Sequence, residues 1–206
     1  FDADNDQDMD IYVASGGTEF SSSSAALWDR LYINDGKGNF SKSKQILPAG
    51  KFESTSCVQH GDFNQDGFTD LFVGIRVRPF LYGVPVNGYI LQNDGKGNFQ
   101  NVTNAIAPQL KEIGMITDMS WSDLDNDGDL DIVATENNGG LYVFRNDYSG
   151  ENNFLRVQLQ GQSPNTSAIG AKLSLLSKNG VTQQRYVRGG SSYLSQSELT
   201  QTFGIG

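Results

Sequence analysis

Three nine-residue segments of this chain carry side-chain oxygens at the same spacing and could each bind a hard cation. They read DADNDQDMD at 2–10, DFNQDGFTD at 62–70 and DLDNDGDLD at 123–131, and we call them loops 1, 2 and 3. Oxygen side chains fall at loop positions 1, 3, 5 and 9. Carboxylates this close repel one another unless a cation lies between them, and Ca²⁺ takes six to eight oxygen ligands. The spacing therefore predicts two or three calcium ions.

The expected ligands are the side chains at positions 1, 3, 5 and 9 and the backbone carbonyl at position 7, where the side chain varies from Asp to Phe. They are Asp2, Asp4, Asp6, Asp8 and Asp10 in loop 1, Asp62, Asn64, Asp66, Phe68 and Asp70 in loop 2, and Asp123, Asp125, Asp127, Asp129 and Asp131 in loop 3. Gly67 and Gly128 permit a sharp turn at position 6. Gln7 replaces that glycine in loop 1, so calcium is expected in at least loops 2 and 3.

A short apolar run follows each loop and predicts what holds it in place. The runs are IYVA at 11–14, LFVG at 71–74 and IVAT at 132–135, and their β-branched and aromatic residues favour strands. An EF-hand would need flanking helices and a bidentate Glu at position 12, where this chain has Val13, Val73 and Ala134. Each cation is therefore expected in one loop that leads into a strand and is closed by position 9.

Composition excludes several classes of protein. The loops hold five, three and five aspartates, more than half of the 24 acidic residues, so the net charge of −9 is mostly a property of the metal loops. The chain has no basic patch for nucleic acid and no apolar run approaching the roughly 18 residues of a membrane span. Glycine is frequent and proline rare, with 24 and 5 residues, which is typical of many short strands and tight turns.

The residues best suited to nucleophilic catalysis are scarce. Cys57 is the single cysteine, so no internal disulfide can form, and it is expected as a small buried hydrophobe. His60 is the single histidine. It stands two residues before loop 2, as Trp121 stands two residues before loop 3, and a packing role is expected for both. We therefore predict that the chain is not an enzyme.

A repeat of about 60 residues organises the chain, because the loops begin at residues 2, 62 and 123. A second motif recurs in step: YINDGKGNF at 32–40, LQNDGKGNF at 91–99 and a degenerate copy beginning at 143. Asn-Asp-Gly is a strong hairpin-turn signal. Each unit is therefore predicted as metal loop, strand, connection, strand, tight turn and a last strand beginning near the Phe. A period of this length indicates a propeller or a solenoid.

These motifs resemble the FG-GAP/VCBS repeat, the blade of integrin-α-type β-propellers, over residues 1–151. The resemblance implies an all-β fold with a partial β-propeller of three blades, Ca²⁺ bound by each loop, and a structural role for the metal. Family propellers usually have seven blades, and three cannot close a ring. Because the chain starts inside a loop motif, we expect further blades upstream or neighbouring chains on the exposed blade faces.

Residues 152–206 differ, because they contain no acidic loop. Alternating segments begin at Asn153, Lys172 and Gln184, Asn179-Gly180 marks a turn, and a further segment lies at 192–197 before FGIG at 203–206. This pattern resembles the ASPIC/UnbV domain, which follows such repeats in secreted proteins. It predicts a small β-rich domain, truncated here, that packs as a separate unit rather than as a fourth blade.

Three functions compete at this point. The first is an extracellular or cell-surface calcium-binding scaffold for adhesion, assembly or protein–protein interaction, and this is our prediction. The second is a carbohydrate-binding, lectin-like propeller. The third is a calcium-dependent polysaccharide-degrading enzyme, which the scarcity of catalytic bases disfavours.

Two sets of surface residues bear on the choice of partner. The long connections carry Trp28, Arg76, Arg78 and Tyr82, which either bind a protein or glycan partner or pack as ordinary surface. Asn101 and Asn165 begin N-glycosylation sequons, which also occur by chance in chains this rich in Asn.

Overall fold

The computed structural model describes residues 1–48, 52–148, 150–178, 180–192 and 195–206. The strands there are β1 (Ile11–Val13), β2 (Arg30–Asn34), β3 (Phe40–Lys42), β4 (Ser54–Gly61), β5 (Asp70–Val77), β6 (Gly88–Asn93), β7 (Phe99–Asn101), β8 (Ile116–Ser122), β9 (Asp131–Glu136), β10 (Leu141–Phe144), β11 (Phe154–Val157), β12 (Lys172–Leu176), β13 (Thr182–Tyr186) and β14 (Gln201–Gly204). Helix α1 spans Thr103–Ile106, and 3₁₀ turns span Ala25–Leu27 and Pro108–Leu110. The protein is all-β, as predicted, and no described helix has the length and apolarity needed to cross a membrane.

Three antiparallel sheets follow the repeat and form the three blades. Blade 1 has the strand order β1-β2-β3, blade 2 the order β4-β5-β6-β7 and blade 3 the order β10-β9-β8. Loop 2 joins β4 to β5, where Gly61 pairs with Asp70, and loop 3 joins β8 to β9, where Ser122 pairs with Asp131. The predicted strands after the loops are confirmed as β1, β5 and β9. Loops 2 and 3 are therefore hairpin connections between neighbouring antiparallel strands.

The structure differs from the predicted unit in three places. Strands β4 and β8, which precede loops 2 and 3, were not predicted, because polar residues such as Gln59 and Asp118 interrupt their apolar alternation. The helical segment at 103–110 was also missed. In the third unit no described strand of blade 3 follows the degenerate turn motif, since β11 pairs with β14. Blade 3 therefore has three strands among the described residues.

Two apolar clusters hold the blades together, one on each face of blade 2. Leu71, Val73 and Ile75 of β5 pack towards blade 1, whereas Phe72 lies in a cluster with Trp121 of blade 3. The rings of Phe72 and Trp121 meet edge to face with centroids 6.3 Å apart. Successive strand residues face opposite sides of the sheet, and both sides of blade 2 are covered, so β5 is buried almost throughout. Burying each large apolar side chain contributes about 1.5–3 kcal/mol, so blade 2 anchors the array.

The outer faces of blades 1 and 3 stay open. Ile11 and Val13 of β1 and Leu141 and Val143 of β10 are exposed, Leu141 to 64 %. These are strand residues of the type that a further blade covers in a closed ring. The described residues therefore form a partial propeller, as the sequence predicted.

The strands after blade 3 pair only with one another among the described residues. Strand β11 pairs with β14, and β12 pairs with β13. The strands predicted to begin at Asn153 and Lys172 are confirmed as β11 and β12, and the segment predicted from Gln184 lies in β13, which begins two residues earlier. Asn179 of the predicted turn and residues 193–194 of the predicted 192–197 segment lie outside the described residues. This C-terminal region packs against loops 2 and 3.

Candidate metal centres

The three loops share one backbone conformation. Positions 4 and 6 have left-handed φ angles in every loop. The values are 65° at Asn5, 58° at Gln65 and 65° at Asn126, then 77° at Gln7, 91° at Gly67 and 95° at Gly128. A non-glycine residue in this region costs about 1–2 kcal/mol. Gln7 therefore places strain in loop 1 without changing its path.

The same hydrogen bonds recur within each loop. The position 1 carboxylate accepts from the position 6 N–H, at 3.0 Å in loop 1, 2.9 Å in loop 2 and 3.0 Å in loop 3. The position 5 carboxylate accepts from the position 7 N–H at 2.9 Å in all three. These bonds occupy one oxygen of each carboxylate and fix the direction of the other.

The position 9 carboxylate ties the loop to its own blade. It accepts from the N–H of position 2, at 2.7 Å for Asp10, 3.2 Å for Asp70 and 2.9 Å for Asp131. Its second oxygen accepts at 2.8 Å from the backbone N–H of the Asn that begins each blade's tight turn, which is Asn34, Asn93 or Asn146. All three aspartates are buried. Position 9 therefore frames the loop, and its remaining lone pairs are free for a cation.

Carboxylates from different positions converge in loops 1 and 3. One ligand atom from each of Asp2, Asp4 and Asp10 lies within 4.8 Å of the others, and so does one from each of Asp123, Asp125 and Asp127. The Oδ1 atoms of Asp2, Asp4 and Asp123 are buried and have no donor. Bare carboxylate oxygens are costly to bury unless a cation pairs with them. The oxygen-only donor set therefore fits calcium.

Loop 2 is closed differently. Asn64 donates its side-chain N–H to Asp66 at 2.9 Å, so the amide nitrogen, and not its oxygen, faces that carboxylate. Turning the amide by 180° would present the oxygen that the sequence pattern predicts as a ligand. Loop 2 is also the most buried loop, since only Asp66 and Phe68 of residues 62–70 are partly exposed. A cation there would be largely enclosed by protein.

The side chains at position 7 point away from the loop centres. Asp8 lies against Gly36, the ring of Phe68 lies against Gly95, and Asp129 accepts from Gln65 at 2.6 Å and from the Tyr148 N–H at 2.9 Å. This placement leaves the backbone carbonyl as the ligand that position 7 could offer.

Burial and mutual repulsion raise the pKa values of several loop carboxyls. The pKa of Asp4 is raised to about 6, first by burial and then by Asp6, Asp10 and Asp2. Burial and then Asp66 raise the pKa of Asp62 to about 6. Burial also holds the pKa of Asp70 well above its ordinary value. Without a cation these three carboxyls therefore bind protons more tightly than free carboxyls do, and a divalent ion would supply the missing positive charge.

The turn asparagines also connect one blade to the loop of the blade before it. The side-chain N–H of Asn93 donates to the Ala3 carbonyl of loop 1 at 2.8 Å, and that of Asn146 donates to the Phe63 carbonyl of loop 2 at 2.8 Å. In the sequence these Asn residues were recognisable only as turn formers. Their recurrence in register with the loops was the available signal.

The C-terminal region covers parts of loops 2 and 3. The Gly204 N–H donates to Asp62 at 3.2 Å, and a Cβ at Gly204 would collide with the backbone of Gln65. Arg156 lies 3.0 Å from Asp123 and 3.2 Å from Glu198. No motif around Arg156 or Glu198 predicted that these residues would lie beside loop 3. Because Arg156 contacts only Oδ2 of Asp123, the unpartnered Oδ1 remains available to a cation.

Comparisons with known proteins agree with this architecture. A family model described as FG-GAP-like repeat matches residues 2–73 and 80–134, and one described as ASPIC and UnbV matches residues 161–206. Cartilage acidic protein 1 of Mus musculus and of Homo sapiens are each 32 % identical over 109 residues. That alignment covers 52 % of this chain and 16 % of each relative, so the chain spans only a small part of their length.

Proposed function

This chain belongs to the FG-GAP-like repeat family and carries an ASPIC and UnbV domain, and from that premise we propose that it is an extracellular, calcium-stabilised scaffold for protein–protein interaction. One observation carries the proposal: carboxylates converge at positions 1, 3 and 9 of loop 1 and at positions 1, 3 and 5 of loop 3, and three of their buried oxygens have no donor. Calcium would neutralise these oxygens. It would fix the loop that joins two strands of a blade. It would also hold the position 2 carbonyl where the Asn of the next blade donates to it.

The side chains proposed to hold the ions are those at positions 1, 3, 5 and 9, with the position 7 carbonyl. Extracellular calcium modules bind with Kd on the order of 10⁻⁴–10⁻³ M. At millimolar calcium, linkage then gives about 1–3 kcal/mol of stabilisation per site. The proposed role of the metal is therefore to rigidify the scaffold.

The environments of Cys57 and His60 support a scaffold rather than a hydrolytic enzyme. Burial raises the pKa of Cys57 to about 12, which disfavours the thiolate that a nucleophile needs. Burial and then neighbouring cations, including Arg188, lower the pKa of His60 well below its ordinary value. The two residues are three apart on β4 and so face opposite sides of the strand. They cannot form a nucleophile–base pair in this fold.

The connection between β5 and β6 is the proposed contact surface for a protein partner. Phe80, Leu81 and Tyr82 are exposed, Tyr82 to 69 %. Arg78 of the same connection is held by Glu53 at 2.9 Å, so its role is structural. Tyr is one of the residue types enriched among interface hot spots, so Tyr82 is the proposed anchor of this surface.

Calorimetric titration of calcium into metal-stripped protein tests the proposal. Two or three calcium sites with oxygen ligands are expected. A titration that gives fewer than two sites would contradict the proposal. Asp127→Asn should remove one site, because Asp127 belongs to the converging group of loop 3. Asp147→Asn is the matched control, since Asp147 is an exposed carboxylate outside the loops, and it should leave the number of sites unchanged.

A further inference from the structure

A polar cavity lies between β4 and the C-terminal region, beside loop 2. It encloses about 170 Å³ and is lined by Gln59, Trp121, Arg185, Arg188 and Thr202, with further backbone and polar groups around the rim. A cavity of about 150 Å³ holds a molecule of roughly six heavy atoms. The space is therefore large enough for a small ligand.

Hydrogen-bond donors in the wall of this cavity have no acceptor among the described residues. They are Nε2 of Gln59, Nε1 of Trp121 and the hydroxyl of Thr202. Gln59 is 5 % exposed, Trp121 4 % and Thr202 9 %, so these groups are almost fully removed from bulk water. Leaving a buried donor unpaired costs free energy of the same order as a lost hydrogen bond. The wall thus favours an occupant rich in acceptors.

The arginine side chains in the wall of this cavity also lack ion pairs with described carboxylates. Arg185 donates to Thr69, Gln184 and Gln183 and lies over the ring of Phe203, and it has no ion pair with a described carboxylate. Arg188 is exposed at the rim, 3.2 Å from Nε2 of His60.

The acidic residues that face the same space are already engaged. Glu198 pairs with Arg156 at 3.2 Å. Asp62 accepts from the N–H groups of Gly67 and Gly204 and belongs to loop 2, where calcium would neutralise it. Arg185 also interacts with Asp2 and Asp70, which are likewise loop carboxylates. The net charge of this space is therefore positive when the loops hold calcium, so the inference rests on the proposed function.

We propose that this cavity is a binding site for a small organic carboxylate, with Arg185 and Arg188 holding the carboxylate group and the Thr202 hydroxyl and Gln59 amide donating to its oxygens. Guanidinium groups bind carboxylates with paired, charge-assisted hydrogen bonds. The volume admits a body of about six to eight heavy atoms. The same chemistry would come from a free hydroxy acid or from the uronic acid at the end of a glycan that enters past Arg188.

Titration calorimetry of the full chain in millimolar calcium tests this assignment, with L-lactate as the probe and L-lactamide as a neutral control of the same shape. Lactate is expected to bind at least tenfold more tightly than lactamide. Equal binding of the two, or no binding of either, would overturn the proposal. Titration with a disaccharide ending in glucuronate identifies the source: tighter binding than lactate assigns the site to glycan ends, and weaker binding assigns it to free hydroxy acids.

Two substitutions separate a ligand site from a water-filled gap. Thr202→Val removes the unpartnered hydroxyl at constant volume, so the melting temperature should stay the same or rise while lactate binding weakens at least threefold. Unchanged lactate binding in this variant would refute the role of the hydroxyl in the site.

Arg188→Gln should weaken lactate binding about tenfold. Arg76→Gln, at an exposed arginine of β5, is its control for net charge and should have no effect. If both variants weaken binding equally, the attraction is a property of overall charge and the site is refuted.

Discussion

Removing calcium should reverse the direction in which acid changes the stability of this protein. In the metal-free protein, the carboxyl of Asp62 is buried and its pKa is raised from 3.8 to about 6. A raised carboxyl pKa means that the folded state binds the proton more tightly than the unfolded state. The penalty of ionising Asp62 is therefore fully present above about pH 6 and is relieved as the pH falls towards 4. In the calcium-loaded protein, protons instead compete with the ion, and stability falls with the pH.

The size of the effect follows from Asp62 alone. A change of the pKa from 3.8 to about 6 corresponds to about 3 kcal/mol at roughly 1.4 kcal/mol per pH unit. For a domain of 150–250 residues, each kcal/mol shifts the melting temperature by about 2–4 °C. About 2 kcal/mol of this penalty is relieved between pH 7.5 and pH 4.5, because relief is complete only below about pH 3.8. The titration of Asp62 alone should therefore make the metal-free protein melt about 4–8 °C higher at pH 4.5 than at pH 7.5.

Thermal unfolding followed by circular dichroism measures how pH changes the melting temperature with and without calcium, on one preparation. The metal is removed on a chelating resin, so that no dissolved chelator titrates together with the buffer. The control is Asp62→Asn, which removes the titrating group at constant shape. That variant should melt higher than the parent at pH 7.5 without calcium, and its acid stabilisation should shrink. A metal-free parent whose melting temperature falls steadily from pH 7.5 to pH 5 would refute the reasoning.

Three further predictions concern the contacts around the loops. Asn146→Ala should lower the free energy of unfolding in urea by about 1–3 kcal/mol, because the buried Phe63 carbonyl loses its donor; no change would mean that water replaces the bond. Arg156→Gln should increase amide hydrogen exchange in β11, because the ion pair to Asp123 that fixes this strand on loop 3 is lost; unchanged protection would show that apolar contacts alone hold β11. Gln7→Gly should stabilise the metal-free protein by up to about 1 kcal/mol, because it relieves a left-handed φ of 77°, and a lower melting temperature would contradict this account.

The sequence predicted the loops, the strands that follow them and the propeller class because all three are local and repeated. Nine residues determine a loop frame, and an apolar run of four determines a strand. Even the substitution of Gln7 did not disturb the frame, since the bonds from Asp2 and Asp6 to nearby N–H groups suffice to hold it. Repetition then made each copy a check on the others.

What could not be predicted depends on partners far away in the chain. Strand β4 carries Gln59 and His60 among small residues, and its pairing with β5 only becomes visible once loop 2 is recognised as a hairpin. The bond from Asn93 to Ala3 joins residues 90 positions apart, and Gly204 reaches Asp62 across 142 positions. A single sequence contains no signal for contacts at these distances, because each group also has a satisfactory local explanation.

The contacts of loop 2 suggest why the repeat keeps so many carboxylates. Asp62 accepts from Gly67 within the loop and from Gly204 of the C-terminal region, while Asp70 accepts from the turn of its own blade. The side chain of Asn146 in blade 3 donates to the backbone carbonyl of Phe63, the residue that follows Asp62. A calcium ion held by these same carboxylates would stabilise four pieces of structure at once: the hairpin, its blade, the following blade and the C-terminal sheets. The free energy of ion binding would therefore stabilise several interfaces that are otherwise joined by single hydrogen bonds. Calcium concentration would then set the stiffness of the whole array of blades and not that of one loop.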